Sequence, residues 1–268
     1  MPLTADTVLL GTVALEPNRW ATVDPSGAPT TRVSTWLHEI AAAGFDGLEL
    51  WERHATTDAD EAAAILAGPL PVGVWNSYVS FDDPDPTERE RVAAWVERSG
   101  SSAVKFNVGA DVAQLDRYAE RVASWVALLP PSAVALCECH AGISVAEVPQ
   151  VAAALFEAAG PPDRVQAIVH THETPEHLAA RFDAYGERIT HVHVNHLDPA
   201  TGRAPRLADR ATQLTATVAH LRALGFRGSW TLEFVHGTLT EHDQPALLLA
   251  QAEQDLHVLR EIIGGATP

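Results

Sequence analysis

The chain has 268 residues, long for one ordinary domain but close to the roughly 250 residues over which an α/β barrel forms a single unit. Its hydrophobic fraction of 46% is that of a globular protein with a sizeable core, and 18 basic against 35 acidic residues leave a net charge of -17, which repels phosphate backbones and anionic membranes. Nucleic-acid and membrane-surface functions are therefore excluded as first expectations.

In chain order, a β-like run from Thr7 to Leu15 leads through a Pro/Gly-rich connection to Arg32–Ala43, where Val33, Trp36, Leu37 and Ile40 recur at helical spacing and Gly44 ends the helix. Strands are expected at Gly47–Trp51, Pro71–Ser77, Ala103–Asn107, Ala133–Glu138, Arg164–His170, Ile189–Val194 and Ser229–Phe234. Between and after them fall helices over Asp58–Ala67, Thr87–Arg98, Asp111–Leu128, Ser144–Ala159, a segment capped by Thr174 with Pro175 in its first turn, Ala208–Leu224 and Glu241–Ile263. Eight strand–helix repeats without a break in composition imply an α/β protein, one closed (β/α)8 TIM barrel over residues 1–268. The longest connections follow the first, third and seventh strands, on the face where barrel enzymes keep their sites, and are candidate walls.

The N-terminus has no basic leader and no apolar stretch approaches the roughly 20 residues of a membrane span, so an unprocessed, soluble chain is expected. Only two cysteines occur, Cys137 and Cys139, on one strand and sharing a face, which argues against a disulfide and for a reducing, cytoplasmic setting.

Leu136-Cys137-Glu138-Cys139-His140 is the stretch on which later segments converge: His170–Glu173, His191–His196 and Thr231–His236. Each follows a β-branched run and ends in acid or imidazole where the chain turns. Alternation along a strand sends Glu138 and His140 one way and the cysteines the other, toward the helices. An unpaired carboxylate inside a barrel is costly and calls for a cation or a protonated state. The same parity puts His191, His193 and Asn195 on one face, and Thr231, Glu233 and Val235 on another strand's face. Two carboxylates and an imidazole at strand ends make a mixed oxygen and nitrogen site suited to a divalent metal: Mn, Zn, Co or Mg. Trp20, Trp51, Trp75 and Trp230 are candidates for an apolar wall at the site, whereas Trp36, Trp95 and Trp125 belong to helix packing. Lys105, in the short fourth strand, is expected to run its stem out to solvent, with an inward electrophile as the alternative.

In order and spacing, GFDGLELW at 44–51, LCECHAG at 136–142, ITHVHVN at 189–195 and GSWTLEF at 228–234 resemble the xylose isomerase-like TIM barrels, which include sugar epimerases and isomerases, inosose dehydratases and apurinic endonucleases. That resemblance implies a divalent metal held by Glu138, a residue after strand six, His193 and Glu233. Where the family carries Asp on strand six, this chain has His170-Thr171-His172-Glu173. The ligand position falls most simply on His170, with His172 and Glu173 as alternates, and nitrogen there favours Zn2+, Co2+ or Mn2+ over Mg2+. Glu49 matches the family's GxEL element and is expected to bind substrate or orient Arg53 or His54, or else to sit in a rim salt bridge. His54, Trp51 and His140 complete the expected substrate shell.

The resemblance further implies a metal-dependent isomerase or epimerase acting on a small keto-sugar or polyol, with Glu138 and Glu233 exchanging a proton beside a carbonyl. A lyase or dehydratase, inosose dehydratase-like or cleaving 3-keto-glycosides, shares that first step and is the alternative. A small-molecule carbohydrate is the expected partner, without nucleic acid or membrane, and a homo-oligomer is compatible with the resemblance.

Overall fold

The computed structural model describes residues 3–140, 142–198 and 200–265. Ala141 of the LCECHAG stretch, Pro199 of the connection after the seventh strand, Met1 and Pro2 of the N-terminal segment, and the last three residues lie outside the described residues.

Eight parallel strands close into a barrel in sequence order: β1 (Val8–Gly11), β2 (Gly47–Trp51), β3 (Val72–Asn76), β4 (Ala103–Phe106), β5 (Val134–Glu138), β6 (Val165–His170), β7 (Ile189–Val194) and β8 (Ser229–Leu232). The surrounding helices are α1 (Leu37–Ala43), α2 (Glu52–Thr56), α3 (Ala59–Leu66), α4 (Thr87–Ser99), α5 (Leu115–Val126), α6 (Pro149–Ala159), α7 (Pro175–Tyr185), α8 (Ala211–Ala223) and α9 (Pro245–Gly265). The fold is the (β/α)8 barrel that the alternation of periodicities implies. Among the described residues no helix is long and apolar enough to cross a membrane.

Local departures from expectation have local causes. The first strand is only four residues long, because Thr12–Leu15 turns into a 3-10 helix with every residue buried. A continuous apolar run cannot distinguish these two conformations. Pro149 pushes Val148 to an extended conformation (φ -87°, ψ 116°), so the segment read as one helix from Ser144 is a 3-10 turn followed by α6. The eighth strand ends at Leu232 instead of Phe234, and α9 begins at Pro245 instead of Glu241. The short helix α2 has no counterpart in the expected elements. At Thr174 the expected cap forms: its hydroxyl accepts from the His177 amide.

Two apolar layers hold the barrel. Between strands and helices lies the main core, which takes Trp75, Trp125, Trp230, Cys137 and Cys139. Inside the barrel a smaller cluster, Leu9, Val74, Ala103, Leu136 and Ile168, plugs its lower half. Above that plug the inward residues become polar and charged: Glu49, Lys105, Glu138, His170, His191, His193 and Thr231, all under 5% exposed. Gly228 lets β8 start tight against β7, since a Cβ there would lie 1.9 Å from the Thr190 carbonyl oxygen. The β6–β7 register sets His170 beside His193, and the β7–β8 register sets His193 beside Thr231.

Candidate metal centre

Four side chains from neighbouring strand ends converge at the top of the barrel: Glu138 (β5), His170 (β6), His193 (β7) and Glu233, immediately after β8. One donor atom from each lies within 4.8 Å of all the others. His193 Nδ1 stands 3.2 Å from Glu138 Oε1 and 3.4 Å from Glu233 Oε2, and His170 Nε2 stands 3.5 Å from Glu138 Oε1. Four ligands bound tetrahedrally at about 2.0–2.1 Å are separated by about 3.3 Å, so these spacings fit one ion at their centre. His170 Nε2 and His193 Nδ1 are buried and make no well-formed hydrogen bond. Buried polar atoms are seldom left so, and both lone pairs are accounted for if they point at a cation.

The far side of each imidazole is held by a carboxylate. His193 Nε2 bonds Glu49 Oε2 at 3.0 Å, and Glu49 also accepts from Asn76 Nδ2 at 2.9 Å. His170 Nδ1 faces Glu173 Oε1 at 3.7 Å, while Glu173 is gripped by Arg181 Nε at 2.6 Å and by the His170 amide at 2.9 Å. Carboxylate–imidazole pairs of this kind orient metal-binding histidines and raise their basicity. Glu49, His191 and His193 also form a three-residue group, but both His191 nitrogens are engaged, by Ser229 Oγ at 2.7 Å and Thr231 Oγ1 at 2.8 Å. That group is a hydrogen-bonded support for the first.

The charges follow from this packing. Burial alone would push the Glu138 carboxyl up, but Lys105, His170 and His193 outweigh it and hold Glu138 well below the carboxylate range. Burial would likewise lower His170, yet Glu138 and Glu173 raise it to about 9. His193 is also raised, against its burial, by Glu49 and Glu233. An arriving cation therefore takes the place of protons shared with these carboxylates.

The centre opens into a cavity of about 250 Å3 at the C-terminal end of the strands. Its floor carries Lys105, Asn107, Glu138, Asn195 and Glu233, and its rim carries Trp20, Tyr78 and Phe234. The three long connections contribute Trp20, Val79 and Leu197 as walls. A larger depression of about 670 Å3 lies at the opposite end, but its lining brings together none of these acids and imidazoles.

Several expected site residues have other places. Of the strand-six candidates, His170 joins the centre. His172 is exposed, with Nδ1 on the Asn195 carbonyl, and Glu173 is spent on Arg181. Glu49 is fully buried and orients His193; it makes neither a rim salt bridge nor a contact with Arg53, whose guanidinium bonds the Gly27 carbonyl. His54 is held by Thr12 Oγ1 at 3.0 Å and Glu16 Oε2 at 3.2 Å, behind the cavity wall. Trp51 is buried in a small cluster with Val13, Ala204 and Phe234 and does not line the cavity. His140 does, with its ring 5.8 Å from that of His170. Trp75 and Trp230 are core residues, which leaves Trp20 of the four tryptophans proposed for the wall.

Lys105 points inward, 4% exposed, with Nζ 2.7 Å from Glu138 Oε2. Strand parity puts Asn195 on the face of His191 and His193 without a role, and sequence reading missed Asn107; the Asn107 and Asn195 amides bond Glu138 Oε2 and Glu233 Oε2 at 2.8 Å each. The signal available was their place at the C-terminal ends of β4 and β7, where catalytic groups of barrels gather.

Neither a protein-family model nor a curated protein matches the sequence. Solved structures do match. A xylose isomerase domain protein from Alicyclobacillus acidocaldarius aligns with 90% of this chain and 97% of its own at a TM-score of 0.60 and 18% identity. A dihydrodipicolinate synthase family protein from Coccidioides immitis aligns with 99% and 78% at 0.53 and 11% identity. A dihydropteroate synthase from Coxiella burnetii aligns with 98% and 92% at 0.51 and 11% identity. At these identities the likeness is one of fold, the (β/α)8 barrel.

Proposed function

We propose that the protein is a divalent-metal-dependent isomerase or epimerase of a small keto-sugar or polyol, working by proton abstraction next to a carbonyl. The observation that carries this reading is the ion-sized centre between Glu138, His170, His193 and Glu233, opening onto a small cavity floored by hydroxyl-binding amides. These four residues would hold the ion, and two imidazoles in the set favour Zn2+, Co2+ or Mn2+ over Mg2+. When bound, the cation would polarise the carbonyl and so acidify the neighbouring C–H.

The protein's own groups supply the rest. Asn195 offers a donor to substrate oxygens, and Trp20 and Phe234, 5.4 Å apart, offer an apolar face to C–H groups while excluding water. A carboxylate of the centre takes the proton. The test is solvent deuterium uptake into unphosphorylated ketoses, D-fructose and D-tagatose among them, by the Mn2+- or Zn2+-loaded protein. Glu138→Gln and Glu233→Gln should each reduce uptake by about 100-fold or more. Exchange that survives both substitutions would sink the reading.

A second outcome has its own support. Trp20, Tyr78 and Ile143 around the cavity are 46–52% exposed, an apolar rim able to seat a leaving group, as elimination from a keto-glycoside requires. Product mass separates the two, because isomerisation conserves it and elimination does not.

A further inference from the structure

The two carboxylates of the centre are not equivalent. Glu138 has no oxygen to spare: Oε2 accepts from Lys105 Nζ at 2.7 Å and from Asn107 Nδ2 at 2.8 Å. Oε1 faces His193 Nδ1 at 3.2 Å and His170 Nε2 at 3.5 Å, where the ion would sit. On Glu233 both contacts fall on one oxygen, Oε2, with Asn195 Nδ2 at 2.8 Å and His193 Nδ1 at 3.4 Å. Among the described residues Oε1 of Glu233 makes none, and Glu233 lines the cavity. We propose that Lys105 and Asn107 are positioning residues that reserve Glu138 for the ion, leaving Glu233 as the carboxylate that acts as base and giving the carboxylate pair one-base chemistry. This rests on the reading above and narrows it.

Two donors on one carboxylate oxygen, one of them charged, stabilise its lone pairs and make it a poor base and nucleophile. The arrangement is also hard to undo. Lys105 is 4% exposed, so moving it off Glu138 would strand a buried ammonium. Both donors come from β4 and the residue just beyond it, and β4 is hydrogen-bonded to β5, so the clamp belongs to the barrel wall and not to a loop.

In the step this permits, the C–H bond beside the carbonyl breaks and the proton goes to Glu233 Oε1. The electron pair forms a carbon–carbon double bond, and the carbonyl oxygen takes the charge. Return of the proton to the neighbouring carbon, with a hydroxyl proton passing between the adjacent oxygens, completes an isomerisation without any oxidant. Inversion at a single carbon needs a second proton donor on the opposite face. With Glu138 committed, the site favours proton transfer between adjacent carbons over epimerisation.

The test uses glycidol, a three-carbon hydroxy-epoxide small enough for the cavity, on the ion-free full-length protein. A carboxylate oxygen attacks the epoxide carbon, the ring C–O bond breaks, and the alkoxide takes a proton from water, leaving an ester located by peptide mass spectrometry. Glu233 should be labelled at least about tenfold faster than Glu138, the ratio set by one charged hydrogen bond. In Lys105→Met, and in the milder Asn107→Ala, labelling of Glu138 should rise toward that of Glu233, a residue-specific change that loosening of the fold would not produce. Equal labelling of the two in the unaltered protein, or no label on Glu233, overturns the assignment. Because labelling needs no ion and no substrate, failure of metal uptake or deuterium exchange would count against the proposed function alone.

Discussion

Glu49 lies beyond reach of the ion yet is expected to govern how tightly it is held. The side chain is fully buried, accepts from Asn76 Nδ2 at 2.9 Å on one oxygen and from His193 Nε2 at 3.0 Å on the other, and has His191 Nε2 3.6 Å away. Glu49→Gln keeps the shape but supplies one acceptor where two donors converge, so an NH2 group must face either Asn76 or His193. The unsatisfied pair should cost about 1–3 kcal/mol of folding stability, read by urea unfolding of the ion-free protein. With its carboxylate partner gone, His193 is a weaker and less well oriented ligand. Loss of such a support typically lowers metal affinity about 10–100-fold, or roughly 1.4–2.8 kcal/mol. Competition titration with Zn2+ against a chromophoric chelator measures this directly. A folded Glu49→Gln protein whose Zn2+ affinity stays within about threefold of the unaltered protein would refute the role given to Glu49.

Other perturbations probe neighbouring parts of the structure. His170→Asp exchanges nitrogen for anionic oxygen and should lower the ratio of Zn2+ to Mg2+ affinity, as seen by thermal shifts with each ion; an unchanged ratio would remove His170 from the ligand set. Burial would raise the Glu16 carboxyl, but His54, Thr30 and Asn18 donate to it and hold it at about 2, against an ordinary 4.5. Because the folded-state value is the lower one, its contribution of about 3 kcal/mol is present above pH 4.5 and lost as pH falls toward 2. Denaturation at pH 5 and pH 3 should therefore show a steeper loss for the unaltered protein than for Glu16→Gln. Arg19 is fully buried, bonding Asp243 through two nitrogens at 2.8 and 3.0 Å and the Val13 carbonyl at 2.9 Å. Arg19→Met should cost about 3 kcal/mol by unpairing Asp243, measurable as a shift in urea midpoint, and a neutral effect would mean the aspartate finds water instead.

The barrel was legible because eight repeats of strand and helix periodicity are local properties, carried by residues within one turn or pleat of each other. Strand parity also pointed Glu138, His193 and Glu233 the same way, and the family resemblance put the strand-six ligand most simply on His170, with His172 and Glu173 as alternates. Parity says which side of a strand a residue takes, but it does not say what awaits it there. Lys105 was expected in solvent, and Glu49 either on substrate or in a rim salt bridge, yet both lie inside and hold other side chains, because the strands of a closed parallel barrel are covered on both faces. Their partners, Glu138 and His193, are 33 and 144 residues away along the chain. The same holds for His54, drawn off the cavity by Glu16, and for Arg19, paired with Asp243 across 224 residues. Sequence by itself determined that Glu138, His193 and Glu233 reach the mouth of the barrel, since alternation and strand order are inherited from neighbours. Tertiary structure alone decided which oxygen of each carboxylate is occupied, because hydrogen bonds are settled to a few tenths of an ångström by strands that meet only when the barrel closes.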